Sequence, residues 1–148
     1  MAKRGSARSV RGYVFLVVWS LWPFAVAAGP CDAPAPIRFA SGTSSAEITG
    51  GVPRGERDCL QLRARAGQHM TATVESPEKN VVFQIYRPRW KVGRSEDAFV
   101  FDGEALQGTA ETADASSWSG RLPESGSYLF VLGTTRGGGE YRLHVIVR

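Results

Sequence analysis

An all-β fold, built as an antiparallel β-sandwich or jelly roll, is what this chain of 148 residues predicts. Three observations carry that expectation. Apolar and polar residues alternate at period two from Phe39 to the C-terminus, glycine-bearing turns interrupt the alternation at short intervals, and no stretch of ten residues sustains helical periodicity. Short strands in that arrangement form a two-layer β core more readily than an α/β one.

The first segment stands apart from the strands. Lys3, Arg4, Arg8 and Arg11 precede an apolar run from Tyr13 to Ala28 that ends in the small residues Ala25, Val26, Ala27 and Ala28. This is the three-part layout of a secretory signal, predicted over 1–28 with cleavage after Ala27 or Ala28. The run is too short for a membrane anchor and holds Ser20 and Pro23. Pro30 directly before Cys31 argues against lipid attachment. The protein is therefore expected to be periplasmic or secreted, with no membrane association once the leader is removed.

Removing the leader changes the charge. All 14 acidic residues lie beyond Ala28, whereas four of the 18 basic ones lie within the leader, so the remaining chain sums to zero. A nucleic-acid partner is not indicated. A basic binding surface would need the remaining arginines to cluster, and in sequence only Arg87, Arg89, Lys91 and Arg94 do so, around Trp90 and just before Glu96, Asp97 and Asp102. That pattern reads as a charge-mixed loop.

Residues 29–148 suffice for one domain with a single core. Cys31 and Cys59 are the only cysteines, and in an oxidising compartment such a pair is expected to form a disulfide stabilising the fold by about 3–4 kcal/mol. A metal site is the weaker reading, because neither His69 nor His144 stands at zinc-ligand spacing from a cysteine or from the other. No metal and no cofactor are predicted.

The strands follow in order. After the Pro-rich arm Ala33–Pro36, Leu60, Leu62 and Ala64 alternate with Gln61, Arg63 and Arg65. Cys59 shares parity with the polar face, so a bond to Cys31 would clip the arm to the outside of the sheet. Ala66–Gln68 turns the chain, and Met70, Ala72 and Val74 then alternate with His69, Thr71, Thr73 and Glu75, which reads as a hairpin. Val81, Phe83 and Ile85 form the next inward set, and Tyr141, Leu143, Val145 and Val147 the last. Between Ser127 and Leu132 both parities are apolar, predicting a central strand buried on both faces. The segment 88–117 is the least regular and reads as a long excursion from the sandwich.

Catalytic chemistry is not indicated. Ser125 and Ser127 lack a G-x-S-x-G elbow, and both histidines sit at solvent-facing strand positions. Glu104, Glu111 and Asp114 have nothing to set their separation and read as solvated acids. Gly137, Gly138 and Gly139 have no lysine and no helix after them, so they read as a hairpin tip rather than a phosphate loop.

The stretches "FASGTSSAEITGGVPRGERDCLQLRARAGQHMTATVES" (39–76), "GRLPESGSYLFVL" (120–132) and "GEYRLHVIV" (139–147) together resemble bacterial pre-peptidase C-terminal (PPC)-like β-sandwich domains. Within that group they are most similar to periplasmic inhibitors of goose-type lysozyme. The resemblance implies a non-catalytic protein that binds lysozyme by inserting loop residues into its cleft. Lysozyme inhibitors of other classes use a Ser-Gly-x-Tyr-like element beside a basic loop. Carried over, that element is Ser125, Gly126, Ser127 and Tyr128, with Arg136 in the following tip. This tip has one arginine and three glycines where the family has a longer, more basic loop, and 88–117 has no counterpart. By parity with Phe130 and Leu132, Tyr128 could equally point into the core. The alternative function is glycan binding, with Tyr86, Trp90 and Trp118 as stacking platforms.

Overall fold

The structure is a computed structural model that describes residues 30–148; the expected signal segment 1–28 lies outside the described residues. Ten strands and one short 3-10 turn make up the described chain. They are β1 (Ala35–Pro36), β2 (Ser45–Val52), β3 (Asp58–Ala64), β4 (His69–Glu75), β5 (Val81–Tyr86), β6 (Lys91–Ser95), β7 (Ala98–Asp102), β8 (Ser117–Arg121), β9 (Gly126–Thr134) and β10 (Gly139–Val147), with the turn at Glu111–Ala113 before β8. One sheet has the order β1-β3-β9-β5, the other β2-β10-β4-β8, and β6 and β7 form a separate hairpin. All pairings are antiparallel except β1 with β3.

The predicted inward sets meet between the sheets. Leu60, Leu62, Phe83, Ile85, Phe130 and Leu132 of the first sheet face Met70, Ala72, Leu143 and Val145 of the second, all at most 1% exposed. Phe83 and Phe130 pack edge to face with ring centres 6.2 Å apart. Outward positions of the second sheet are polar, and there Glu47 forms an ion pair with Arg142 Nε at 3.4 Å and lies 3.2 Å from His144 Nε2.

Central strand β9 is buried on both faces, as the double apolar parity requires. Its second face carries Leu129 and Val131, which join Cys31 and Cys59 in a small outer core. Tyr86, Trp90, Val92, Phe99 and Phe101 pack over that core, so the β6–β7 hairpin is its lid. The Cys31–Cys59 disulfide forms, and it fastens the N-terminal arm to the outside of the first sheet.

Two expectations are corrected. The turn through Ala66–Gln68 does not close a hairpin: β3 pairs with β9, and β4 pairs with β10 and β8 in the opposite sheet. The chain arches across the core there, so the apolar faces of β3 and β4 oppose each other instead of lying side by side. The segment 88–117 is not irregular, since it holds β6, β7 and the 3-10 turn and leads into β8. The outer apolar face of β9 would be exposed without it. That cover orders what its charge-mixed sequence alone would leave as a loop.

Candidate functional site

Strand directions divide the loops between two ends of the sandwich. The β3–β4 and β8–β9 connections lie at one end; the β2–β3, β4–β5 and β9–β10 connections lie at the other. Strand β9 runs between them over nine residues, about 30 Å of chain. Ser125 to Tyr128 therefore stand at one end and Arg136 at the other. The fold does not bring these five residues into one site.

At the first end each residue of the Ser-Gly-Ser-Tyr element has a structural occupation. The backbone N–H of Ala66 donates to Ser125 Oγ at 2.8 Å, pinning the arch to the β8–β9 turn. Gly126 has φ +149°, and a Cβ there would stand 2.7 Å from the Pro88 side chain. Ser127 bonds Gln61 Oε1 at 3.2 Å, and its carbonyl accepts from Trp90 Nε1 at 2.9 Å. Tyr128 is fully buried, so its ring cannot touch a partner. Desolvation raises the pKa of its hydroxyl above the ordinary tyrosine value. Beside it, Glu124 takes ion pairs from Arg87 and, at 3.1 Å, from Arg89; Arg87 also reaches Glu104 at 2.5 Å. The serine hydroxyls thus contact an amide N–H and a side-chain amide, and neither meets a base.

The Arg136 end is a platform of three interlocked turns. Asn80, 2% exposed, donates from Nδ2 to the carbonyls of Arg136 and Gly138, both at 2.9 Å. Its own carbonyl accepts from the Thr135 N–H at 2.9 Å. Arg136 in turn donates to the Glu78 carbonyl at 3.0 Å. Gly137 adopts φ +60°, and a Cβ on Gly138 would meet the Val52 carbonyl at 3.1 Å and Arg54 N at 3.3 Å. The β9–β10 tip therefore lies against the β2–β3 turn, where a side chain at Gly138 would be tight and Gly137 takes the left-handed conformation that glycine favours. Arg136 and Arg54 are both exposed on this platform. Alongside, on the outer face of the second sheet, runs an open trough of about 710 Å³ lined by Thr49, Gly51, Glu75, Ser76, Glu140 and Arg142.

Arg54 and Asn80 drew no weight in the sequence. Asn80 acts through contacts to residues more than 50 positions away, which no local pattern signals. Arg54 lies in the Pro53–Gly55 turn, and only its nearness to Gly138 in space makes it notable.

The proposed stacking aromatics are dispersed. The Tyr86 ring stacks on Phe101 at 5.9 Å, and its hydroxyl bonds Gln84 at 2.9 Å. Trp90 closes the outer core near Ser127. Trp118 packs against the main core from the other sheet and donates to the Gln107 carbonyl at 3.0 Å. They form no common platform. Among the described residues no group of three His, Cys, Asp or Glu side chains is placed to hold a metal ion, and no helix is long and apolar enough to cross a membrane.

The fold and the platform define a class: a two-sheet antiparallel sandwich with an outer hairpin lid and a rigid arginine-bearing end. Among solved structures, the chain is similar to PliG of Aeromonas hydrophila, a periplasmic inhibitor of g-type lysozyme, at 25% identity over 77% of this chain and 95% of that one, with a TM-score of 0.57. It also shares its fold with PliG of Salmonella Typhimurium and a PliG mutant from Escherichia coli, each 17% identical over 77% of this chain and 96% of theirs, with TM-scores of 0.52. No protein-family model and no curated protein matches the chain.

Proposed function

We propose that this chain is a periplasmic inhibitor of goose-type lysozyme, exported by a leader at 1–28 and working as a single β-sandwich domain over 29–148. The observation that carries this reading is the likeness to the Aeromonas hydrophila inhibitor across nearly all of that protein's length. The local geometry supports the Arg136 end as the contacting one. Arg136 is the member of the predicted set that carries an exposed charge, and its side chain bonds only the Glu78 carbonyl at the surface. It stands on a tip fixed by Asn80 and Glu78.

The chemistry suits a muramidase. Its cleft presents catalytic carboxylates, and a guanidinium delivered into that desolvated groove forms charge-assisted, paired hydrogen bonds with them. Holding the tip in place beforehand lowers the ordering cost of binding. The protein blocks by occupancy and performs no turnover. Ser125, Gly126, Ser127 and Tyr128 contribute by building the opposite end, not by contact with the enzyme.

The test is direct: purified protein is titrated into goose-type lysozyme acting on cell-wall substrate. Loss of activity that saturates near one inhibitor per enzyme supports the reading. Undiminished hydrolysis at a large excess of the protein refutes it. Retention on peptidoglycan without inhibition would favour the glycan-binding alternative instead.

A further inference from the structure

The chain from Pro30 onward carries as many acids as bases, yet the fold does not distribute them evenly. At the end opposite Arg136 stand four arginines from three separate stretches. Arg63 and Arg65 leave β3 at its last turn, and Arg63 stands opposite Ser127 in the sheet. Arg121 ends β8, pairs with His69 and donates from Nη1 to the Gly67 carbonyl at 3.0 Å, in the same arch that Arg65 opens. Arg38 follows Ile37, whose N–H donates to the Gln61 carbonyl at 2.8 Å, and so stands level with Arg63.

All four side chains are exposed, and none has a carboxylate within 4.0 Å among the described residues. Two acids of this end, Glu104 and Glu124, are already held by Arg87 and Arg89. Arg63, Ala64, Gly126 and Ser127 also line a shallow depression of about 380 Å³. The small side chains of its floor leave the arginine above it free to meet a bulky anion.

We propose that this end is a docking surface for a membrane bearing acidic phospholipids. Unpaired guanidiniums on a surface with few acids match the phosphate chemistry of such a membrane, and each contributes to adsorption through the surface potential. Removal of the leader suggested no membrane partner; the segregation of the remaining charges in space is what argues for one. Docking here leaves the Arg136 platform facing away from the lipid, so both ends could be engaged together. The proposal does not depend on which enzyme, if any, that platform blocks.

The experiment is co-sedimentation of the secreted chain with vesicles of phosphatidylglycerol and phosphatidylethanolamine, against vesicles of phosphatidylcholine. Binding to the anionic vesicles alone is expected, lost as salt rises and the charges are screened. Arg63→Gln with Arg65→Gln should weaken it about 25-fold, roughly five-fold for each charge removed. Both side chains are exposed, so melting should be unchanged; if the pair nonetheless unfolds, Arg65→Gln alone must still show its five-fold loss. Arg54→Gln with Arg136→Gln should leave vesicle binding intact. Failure to bind anionic vesicles at low salt overturns the proposal, as does an equal loss from the Arg54 and Arg136 pair. If the Arg63 and Arg65 pair abolishes lysozyme inhibition while no vesicle binding is seen, this end contacts protein and the proposal fails.

Discussion

Tyr128 and Glu124 form a closed clasp: the buried hydroxyl donates to the Glu124 carbonyl at 2.6 Å and accepts from the Glu124 N–H at 3.2 Å. This arrangement sets the β8–β9 turn, and it gives the Gly-Ser-Tyr sequence a structural purpose. Tyr128→Phe keeps the ring but strands two backbone groups, and it should cost about 1–3 kcal/mol. Urea denaturation would measure that loss, while inhibition per folded molecule should not change.

The disulfide carries a second expectation. Cys31 and Cys59 enclose 28 residues of separation and join the outer core to the N-terminal arm. Replacing both with alanine should lower stability by about 3–4 kcal/mol. A reducing agent should reproduce the loss in the native chain and have no effect on the variant, read from denaturation midpoints with and without reductant.

A half-buried hydroxyl–carboxylate pair gives stability a pH dependence. Tyr141 donates to Asp58 Oδ2 at 3.2 Å. Burial raises the Asp58 carboxyl above its ordinary range, and the Tyr141 bond partly offsets that rise. The folded state thus holds the Asp58 proton more tightly than the unfolded chain does. This contribution is least favourable above the raised pKa and recovers as pH falls through it. Tyr141→Phe removes the offset and pushes Asp58 higher. The variant should therefore lose about 1–2 kcal/mol at neutral pH and clearly less at acid pH, once the carboxyl has taken up its proton. Urea midpoints at the two pH values compare them.

The hairpin lid should be separable from the main core. Phe101 packs on Tyr86 and lies 6.3 Å from Phe99, outside the Phe83–Phe130 core. Phe101→Ala should cost about 1–3 kcal/mol, less than the roughly 3–5 kcal/mol expected for Phe130→Ala. It should also make residues 91–102 the first site of proteolysis, identified by mass spectrometry of the early fragments.

Much of the fold was legible because burial imposes parity on a strand. The inward sets of β3, β4, β5 and β10, the two-faced burial of β9 and the outward position of Cys59 all follow from alternation. Parity does not say which sheet a strand joins. The short connection Arg65–Gln68 can close a hairpin or arch between sheets, and only the partners of Ala64 and His69, Gly126 and Arg121, decide. The hairpin lid was hidden for a similar reason: Val92, Phe99 and Phe101 bury one side only, against a face that exists once β9 is central. Ser125 and Arg136 lie 11 positions apart in sequence, and a strand buried throughout carries the chain from one end of the molecule to the other between them. Closeness in sequence concealed that separation, just as distance in sequence concealed the shared end of Arg38, Arg63, Arg65 and Arg121.

The most direct measurement is the inhibition constant of Arg136→Ala against goose-type lysozyme, beside that of the native chain. The account predicts tight inhibition by the native protein and a loss of about 2–4 kcal/mol in the variant, a 30- to 1000-fold weakening, with the melting temperature unchanged. A native chain that leaves the enzyme fully active, or a variant that inhibits equally well, would contradict it.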